Sequence, residues 1–312
     1  MITKYNKDLT IMRKQIYSLL LSVLLSIPLG MKATIVDDPG VFNFSPFYDP
    51  SSGVIGLALT FFPSEEGDTV YIPDYIYENN QYKYVVCINT GAFFDCNAKY
   101  IRLPNHLRFI RDNAFHYCCF LTTLEFTNDI SEIDFGEIDD IVGGCNYVDE
   151  IIVPLQYLSN YIEDPEDRFF PFYLYEQLKG KRVLSQYNKM MWSDYKFKVG
   201  GNVNAFYFTG INGNYATTNN VNVVPANTAI GIKGSNGDVV YAIATTDNAD
   251  NVTVYNNIHN VNSTTCVTNS SGNYYHYFNG EDGFPIILST ICFEPYSAYI
   301  KNSSSDEIII PY

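Results

Sequence analysis

Basic residues are the scarcest feature of this 312-residue chain: 19 Lys and Arg stand against 34 Asp and Glu, for a formal net charge of −15. Nucleic-acid binding draws on Lys and Arg to neutralise phosphates, so nucleic acid is not an expected partner. After residue 33 the only basic cluster is the short Lys179-Gly-Lys-Arg182. Histidine is equally sparse. His106, His116, His259 and His276 form no His-x-x-x-His pair, and the chain has no Cys-x-x-Cys, so no metal ligands and no cofactor are expected. His116 reads as an exposed turn residue, and His259 and His276 as surface strand or loop positions. Gly-x-Ser-x-Gly, Gly-x-Gly-x-x-Gly and Walker patterns are all missing, which removes the usual hydrolase elbow and phosphate loops. A triad converging only in space stays open at this level, as does a chance pair of carboxylates at glycosidase spacing. Glu163-Asp-Pro-Glu-Asp167 reads as a solvated linker and Asp139-Asp140 as an insertion tip. Asn279-Gly-Glu-Asp-Gly283 lacks spaced calcium ligands and reads as a hairpin turn. No catalytic residue is assigned, and the chain is expected not to be an enzyme.

What is abundant is aromatic: 27 Tyr and 21 Phe, with Asn, Thr and Ser filling the second half. That profile belongs to a folded, β-rich chain rather than a disordered one. At the N-terminus, Arg13 and Lys14 precede the apolar run Ile16–Ile27, followed by Pro28, Gly30 and Ala33. A basic start, a short apolar stretch and small residues near a cut site describe a secretory signal peptide over residues 1–33. The run is short for a bilayer span, so no membrane span is expected after cleavage, with an uncleaved anchor as the alternative. Met12 is a second candidate start. Residues 1–33 carry five basic residues and one acidic one, so cleavage would take the net charge to −19. Seven cysteines, an odd number in a chain of this size, do not suggest a disulfide framework.

Internal repetition carries more information. Ile88-Asn-Thr-Gly-Ala-Phe-Phe-Asp-Cys96 and Ile110-Arg-Asp-Asn-Ala-Phe-His-Tyr-Cys118 share Ile, Ala, Phe and Cys at a step of 22 residues. Ile88, Ala92, Phe93 and Cys96 thus align with Ile110, Ala114, Phe115 and Cys118. Short alternating segments follow each, Tyr100–Pro104 and Leu121–Phe126. A looser third copy runs from Ile130-Ser-Glu-Ile133 through Gly143-Gly-Cys145 to Val148–Pro154, with an insertion around Phe135 to Asp140. A step in the low twenties is that of leucine-rich repeats, whose units must stack to bury their apolar faces. Cys96, Cys118 and Cys145 then read as an interior ladder of small apolar thiols, not as ligands or nucleophiles.

These units resemble the BspA-like leucine-rich repeat surface proteins of Bacteroides-type bacteria. Their repeat runs as a strand, Ile-Pro, then Ile-Gly-x-x-Ala-Phe-x-x-Cys. Asp68-Thr-Val-Tyr-Ile-Pro73, the polar hairpin Glu78-Asn-Asn-Gln81 and Tyr84-Val-Val86 lead into the array in the same way. The resemblance implies capping strands over Thr34 to Asp74 and a C-terminal cap. Leu155, Leu158, Ile162, Tyr157 and Tyr161 suit a short amphipathic helix for that cap, and Phe172–Leu178 a second helical turn. Beyond Val183, short strands alternate with turns at Asn212-Gly, Asn236-Gly and Asn279-Gly. The runs are Ala205–Phe208, Ala229–Ile232, Val239–Ile243, Tyr274–Phe278 and Glu307–Ile310. Alternate members of the 274–278 run are expected to fill a core, while exposed Tyr there or Trp192 could instead offer flat rings to a ligand. Val224–Gly234 and Ala298–Ile300 resemble a β-domain that follows such repeats in that family.

The expected fold is therefore mainly β: a short leucine-rich repeat solenoid with N- and C-terminal caps, then an antiparallel β-sandwich. The expected domains are a capped repeat domain at 34–183, with core repeats at about 84–154 and a helical cap at 155–183, and a sandwich at 184–312. By resemblance, the function expected is that of an exported, secreted or cell-surface protein for adhesion or ligand recognition, with a protein or glycan partner outside the cell. A structural or assembly role in the cell envelope is the alternative, and a glycan-processing accessory a weaker one. No binding residues are assigned.

Overall fold

The computed structural model describes residues 35–63, 69–136, 145, 148–162, 177–270, 272–281, 283–303, 305 and 307–310. The signal segment, the acidic linker at 163–167, the insertion tip at 139–140 and residues 172–176 of the helical turn expected at Phe172–Leu178 lie outside these residues, while Leu178 itself opens a strand.

Parallel strands Thr69–Tyr71, Tyr100–Arg102, Thr123–Glu125, Glu150–Pro154 and Leu178–Val183 pair in sequence order, one per coil of a solenoid. Ile35–Val36 adds a short rung before them. The inward members Val70, Ile101, Leu124 and Ile151 share one register row and are buried. A second wall is formed by Ile55–Phe61, Gln81–Ile88 and Phe109–Ile110, also parallel, and continues by a bridge from Phe109 to Asp134. Between the walls lie the Ala-Phe-Cys turns. Main-chain bonds tie successive turns: Phe62 N–H donates to Ala92 O at 2.8 Å and Phe93 N–H to Ala114 O at 2.8 Å. Phe42, Phe62, Phe93 and Phe115 stack through the interior at centroid spacings of 5.4, 5.3 and 5.1 Å.

Each turn needs left-handed corners, and the residues supply them. Gly91, Asn113 and Gly136 occupy equivalent positions, three after Ile88, Ile110 and Ile133, with φ of 64°, 58° and 75°. Gly and Asn tolerate that region; branched and bulky side chains do not. A second corner falls at Asp95 (φ 56°) and at Tyr117 (φ 59°).

At the far end the expected cap is only partly helical. Leu155–Tyr157 forms a 3-10 turn and Leu158–Ile162 one α-helical turn, burying Leu155, Leu158 and Tyr161. The chain then returns as the extended strand Leu178–Val183. Gly180 permits this, because a Cβ there would lie 3.0 Å from Leu155 Cδ1 and 3.1 Å from Leu158 Cδ2.

The sheet does not stop at residue 183. Val239–Ala244 pairs antiparallel with Leu178–Val183, and Phe197–Gly200 pairs with Val239–Ala244, completing an eight-stranded sheet among the described residues. Buried Val240, Ala242 and Ala244 join the same core as the repeats. Beyond this lies a six-stranded sheet ordered from Met190–Met191 through Ile230–Lys233, Asn204–Asn212, Tyr215–Asn220 and Ile308–Ile309 to Gly283–Phe284. Its pairings are antiparallel apart from the Tyr215–Ile309 contact. The Asn-Gly turns expected from sequence carry Gly213, Gly237 and Gly280 at positive φ.

Several smaller expectations change. His276 is not at the surface: it is fully buried, its Nδ1 3.0 Å from Phe284 O, and with Phe278 it is the inward member of the 274–278 run. His259 is exposed and stacks on Tyr299. Trp192 is buried against Tyr296 at 4.8 Å, so its ring face is already covered. Asn279 makes the turn expected of it, its Oδ1 accepting the amides of Glu281 and Gly283. A disulfide joins Cys266 and Cys292, which face each other on the Thr265–Val267 and Ile291–Phe293 strands. Spacing could not reveal it, because the pairing exists only once those strands are in register.

Tyr117 is the one corner residue that is neither Gly, Asn nor Asp among those five turn positions, and its side chain is half exposed. Tyr117→Gly is expected to stabilise the protein by about 1 kcal/mol, because the left-handed penalty of a side chain disappears. Thermal unfolding of wild type and variant measures this; a lower Tm in the variant would show that the ring contributes more than the backbone costs.

Candidate functional site

Along the repeat strands side chains alternate, so while Val70, Ile101, Leu124 and Ile151 enter the core, their neighbours form an outward face. Thr69, Tyr100, Thr123 and Glu150 make one row across this face, and Tyr71, Arg102, Glu125, Ile152 and Lys179 the next. Lys181 and Tyr241 extend it into the strand contributed by the second half of the chain.

Glu125 sits at its centre, with its side chain only 8% exposed. Lys181 Nζ donates to both its oxygens, at 2.9 and 3.1 Å, and Tyr100 donates its hydroxyl proton to it. Arg102 Nε lies 3.9 Å away. Lys179 donates to one oxygen of Glu150. Tyr71 stands edge-on to Tyr100 at 5.8 Å. Burial, reinforced by the bond to Glu125, pushes the Tyr100 hydroxyl far above the ordinary tyrosine range. Thus both lysines of the single basic cluster in the sequence are consumed by cross-strand pairs. The third basic member, Arg182, turns into the core: its guanidinium donates to Pro295 O at 3.2 Å and lies 4.0 Å from Glu294. Burial lowers its pKa to about 10, and Nε finds no protein partner among the described residues.

The residues singled out by the repeat pattern all meet in the interior, not on this face. Ile88, Ala92, Phe93, Cys96, Ile110, Ala114, Phe115 and Cys118 are buried in one core, and Cys145 packs against it half-buried. Cys96 and Cys118 Sγ lie 3.2 Å apart. The Cys118 thiol donates to Phe93 O at 2.9 Å and the Cys145 thiol to Phe115 O at 3.0 Å, so each reaches the phenylalanine carbonyl one coil back. Hydrogen bonding with Cys145 and Cys96, together with burial, holds the Cys118 thiol far above its usual range. Protonated and enclosed, it has little nucleophilic or metal-binding character. Among the described residues no group of three or more His, Cys, Asp or Glu is arranged to hold a metal ion. No described helix is long and apolar enough to cross a membrane.

Sequence reasoning missed the outward face. Its signal was available in the alternation of Tyr100-Ile-Arg-Leu and Thr123-Leu-Glu-Phe, where every second residue is polar or phenolic. The partner strand of Lys181, some sixty residues further on, carried no such signal.

Tyrosines free in an unfolded chain ionise near pH 10. The raised value of Tyr100 means that folding favours its protonated form, so its contribution is complete below that pH and is lost as pH rises beyond it. Alkaline unfolding of Tyr100→Phe should fall less steeply with pH above about 10 than that of wild type; identical slopes would contradict the Tyr100–Glu125 bond.

A family described as BspA type Leucine rich repeat region (6 copies) matches residues 70–160. The crystal structure of a leucine-rich repeat protein from Bacteroides capillosus is 16% identical, covering 37% of this chain and 96% of that one, with a TM-score of 0.28. No curated protein matches the chain. Residues 70–160, with their parallel rungs and Ala-Phe-Cys turns, are similar to the BspA type Leucine rich repeat region.

Proposed function

We propose that this chain is an exported, non-catalytic recognition protein whose outward repeat face meets a polypeptide partner. The observation that carries the reading is the Tyr71–Tyr100–Glu125–Lys181 face itself. It is ordered by cross-strand hydrogen bonds and presents phenol rings and paired charges without a free nucleophile. Interfaces favour Tyr and Arg held in a defined geometry, since less conformational entropy is lost on binding. The family matched by residues 70–160 supports the same reading. Export is supported by the N-terminal apolar run and, independently, by the exposed Cys266–Cys292 disulfide, a bond that persists in oxidising compartments.

The protein is expected in the surface or extracellular fraction of its cell, with Cys266 and Cys292 joined. A photo-crosslinking residue at Thr123, on the outward face, should then capture one discrete polypeptide species. The same residue at Leu288, 92% exposed and not part of that face, should not. Equal capture at both positions, or none at Thr123, contradicts the assignment of the face.

A further inference from the structure

The hairpin that leads into the repeats carries an aromatic surface that the outward face does not include. Tyr75–Glu78 pairs antiparallel with Gln81–Ile88, and the turn residues Asn79 and Asn80 both take positive φ, 51° and 61°. That is the turn geometry whose twist suits a two-residue hairpin. The register sets Tyr75 opposite Tyr84 and Tyr77 opposite Tyr82. Since alternate residues share a face, all four rings lie on one side, while Ile76 packs inward against the repeat core.

These rings touch one another. Tyr75 and Tyr82 meet edge-on at 4.8 Å, Tyr77 and Tyr82 at 4.8 Å, and Tyr75 and Tyr84 at 6.3 Å. They remain 46%, 58%, 59% and 44% exposed for Tyr75, Tyr77, Tyr82 and Tyr84. His106, from the next coil, lies against Tyr84 at 4.2 Å. The plate is also held at its base, where the Asp74 carboxylate accepts the Asn105 backbone N–H and side-chain amide, each at 2.8 Å. Four large exposed rings cost solvation without filling any core, so folding alone does not account for them.

Charge decides the occupant. Among the described residues up to 82 the chain carries five Asp or Glu, at Asp37, Asp38, Asp49, Asp74 and Glu78, and no Lys, Arg or His. The first base after that stretch, Lys83, points to the other side of the ribbon and pairs with Glu78 at 2.9 Å. Aromatic faces are electron-rich, and an acidic setting adds to their attraction for cations. An anionic partner is repelled, and a neutral one gains nothing from the carboxylates.

We propose that the Tyr75, Tyr77, Tyr82 and Tyr84 plate docks an Arg- or Lys-bearing segment of a polypeptide partner, its cationic groups lying over the rings. This deepens the reading of the chain as a protein-recognition molecule and rests on it.

The test uses the whole mature chain and three probes: a capped peptide of alternating Arg and Gly, the same peptide with every Arg replaced by Gln, and a neutral oligosaccharide. Calorimetric titration at low and at moderate salt should show the Arg peptide binding, more weakly as salt rises. The Gln peptide and the sugar should not bind. Tyr77→Ser with Tyr82→Ser should weaken the Arg peptide about tenfold, the size expected when two exposed cation–ring contacts are lost. Tyr77→Phe with Tyr82→Phe keeps the rings and should keep the affinity. Binding of the Arg peptide that is unchanged in the serine variant would overturn the proposal, because bulk acidity would then explain it. No binding of the Arg peptide, or equal binding of either neutral probe, would overturn it as well. Capture at Thr123 alongside a failed titration would sink the hairpin site and leave the outward face standing. Loss of capture alongside a successful titration would do the reverse.

Discussion

Every part of this molecule depends on the hydrogen-bonded edge that a parallel stack leaves open. No single coil of about 22 residues can bury its apolar strand, Ala-Phe turn and thiol alone, so coils must be added until something stops the addition. An uncovered final rung would expose a row of amides and carbonyls ready to pair with another chain. Among the described residues, the last parallel rung of the outward wall is not a free edge. The Leu178–Val183 strand is the last parallel rung on one side and, on the other, the antiparallel partner of Val239–Ala244. Gly180 lets the short helix at Leu158–Ile162 lie close over that rung, and Arg182 reaches from it to Pro295.

That arrangement explains why the basic cluster of the sequence is not a binding site. In a strand, Lys179 and Lys181 share the outward face and Arg182 must turn the other way. The outward pair finds Glu150 and Glu125 on preceding coils, and the inward member bridges to the second half of the chain. A run of like charge is thus divided by the pleat into two jobs, neither of which leaves it available to phosphate.

The coils were legible because their signals are local and repeated. Ile, Ala, Phe and Cys at a fixed step report a core directly, whereas the corners at Gly91, Asn113 and Gly136 emerge only with the backbone. Strands in the second half were legible for a similar reason, each being a short apolar run between Asn-Gly turns. What stayed hidden depends on contacts between distant segments. The Cys266–Cys292 bond needs two strands in register, the burial of His276 needs Phe284 beside it, and the continuation of the sheet beyond Val183 needs Val239–Ala244 to arrive from more than fifty residues away. The outward face lies between these cases, since its alternation is local but the pairing that orders it is not.

The continuity of the sheet is the claim on which the rest stands, and amide hydrogen exchange along the Leu178–Val183 strand measures it most directly. Joined on both sides, the amides of this strand should be protected about as strongly as those of Thr123–Glu125 in the middle of the stack, and should be released with them in one cooperative opening. Rapid exchange at Leu178–Val183 beside slow exchange at Thr123–Glu125 would mean that the repeats end before this strand, and that the two halves of the chain do not share a sheet.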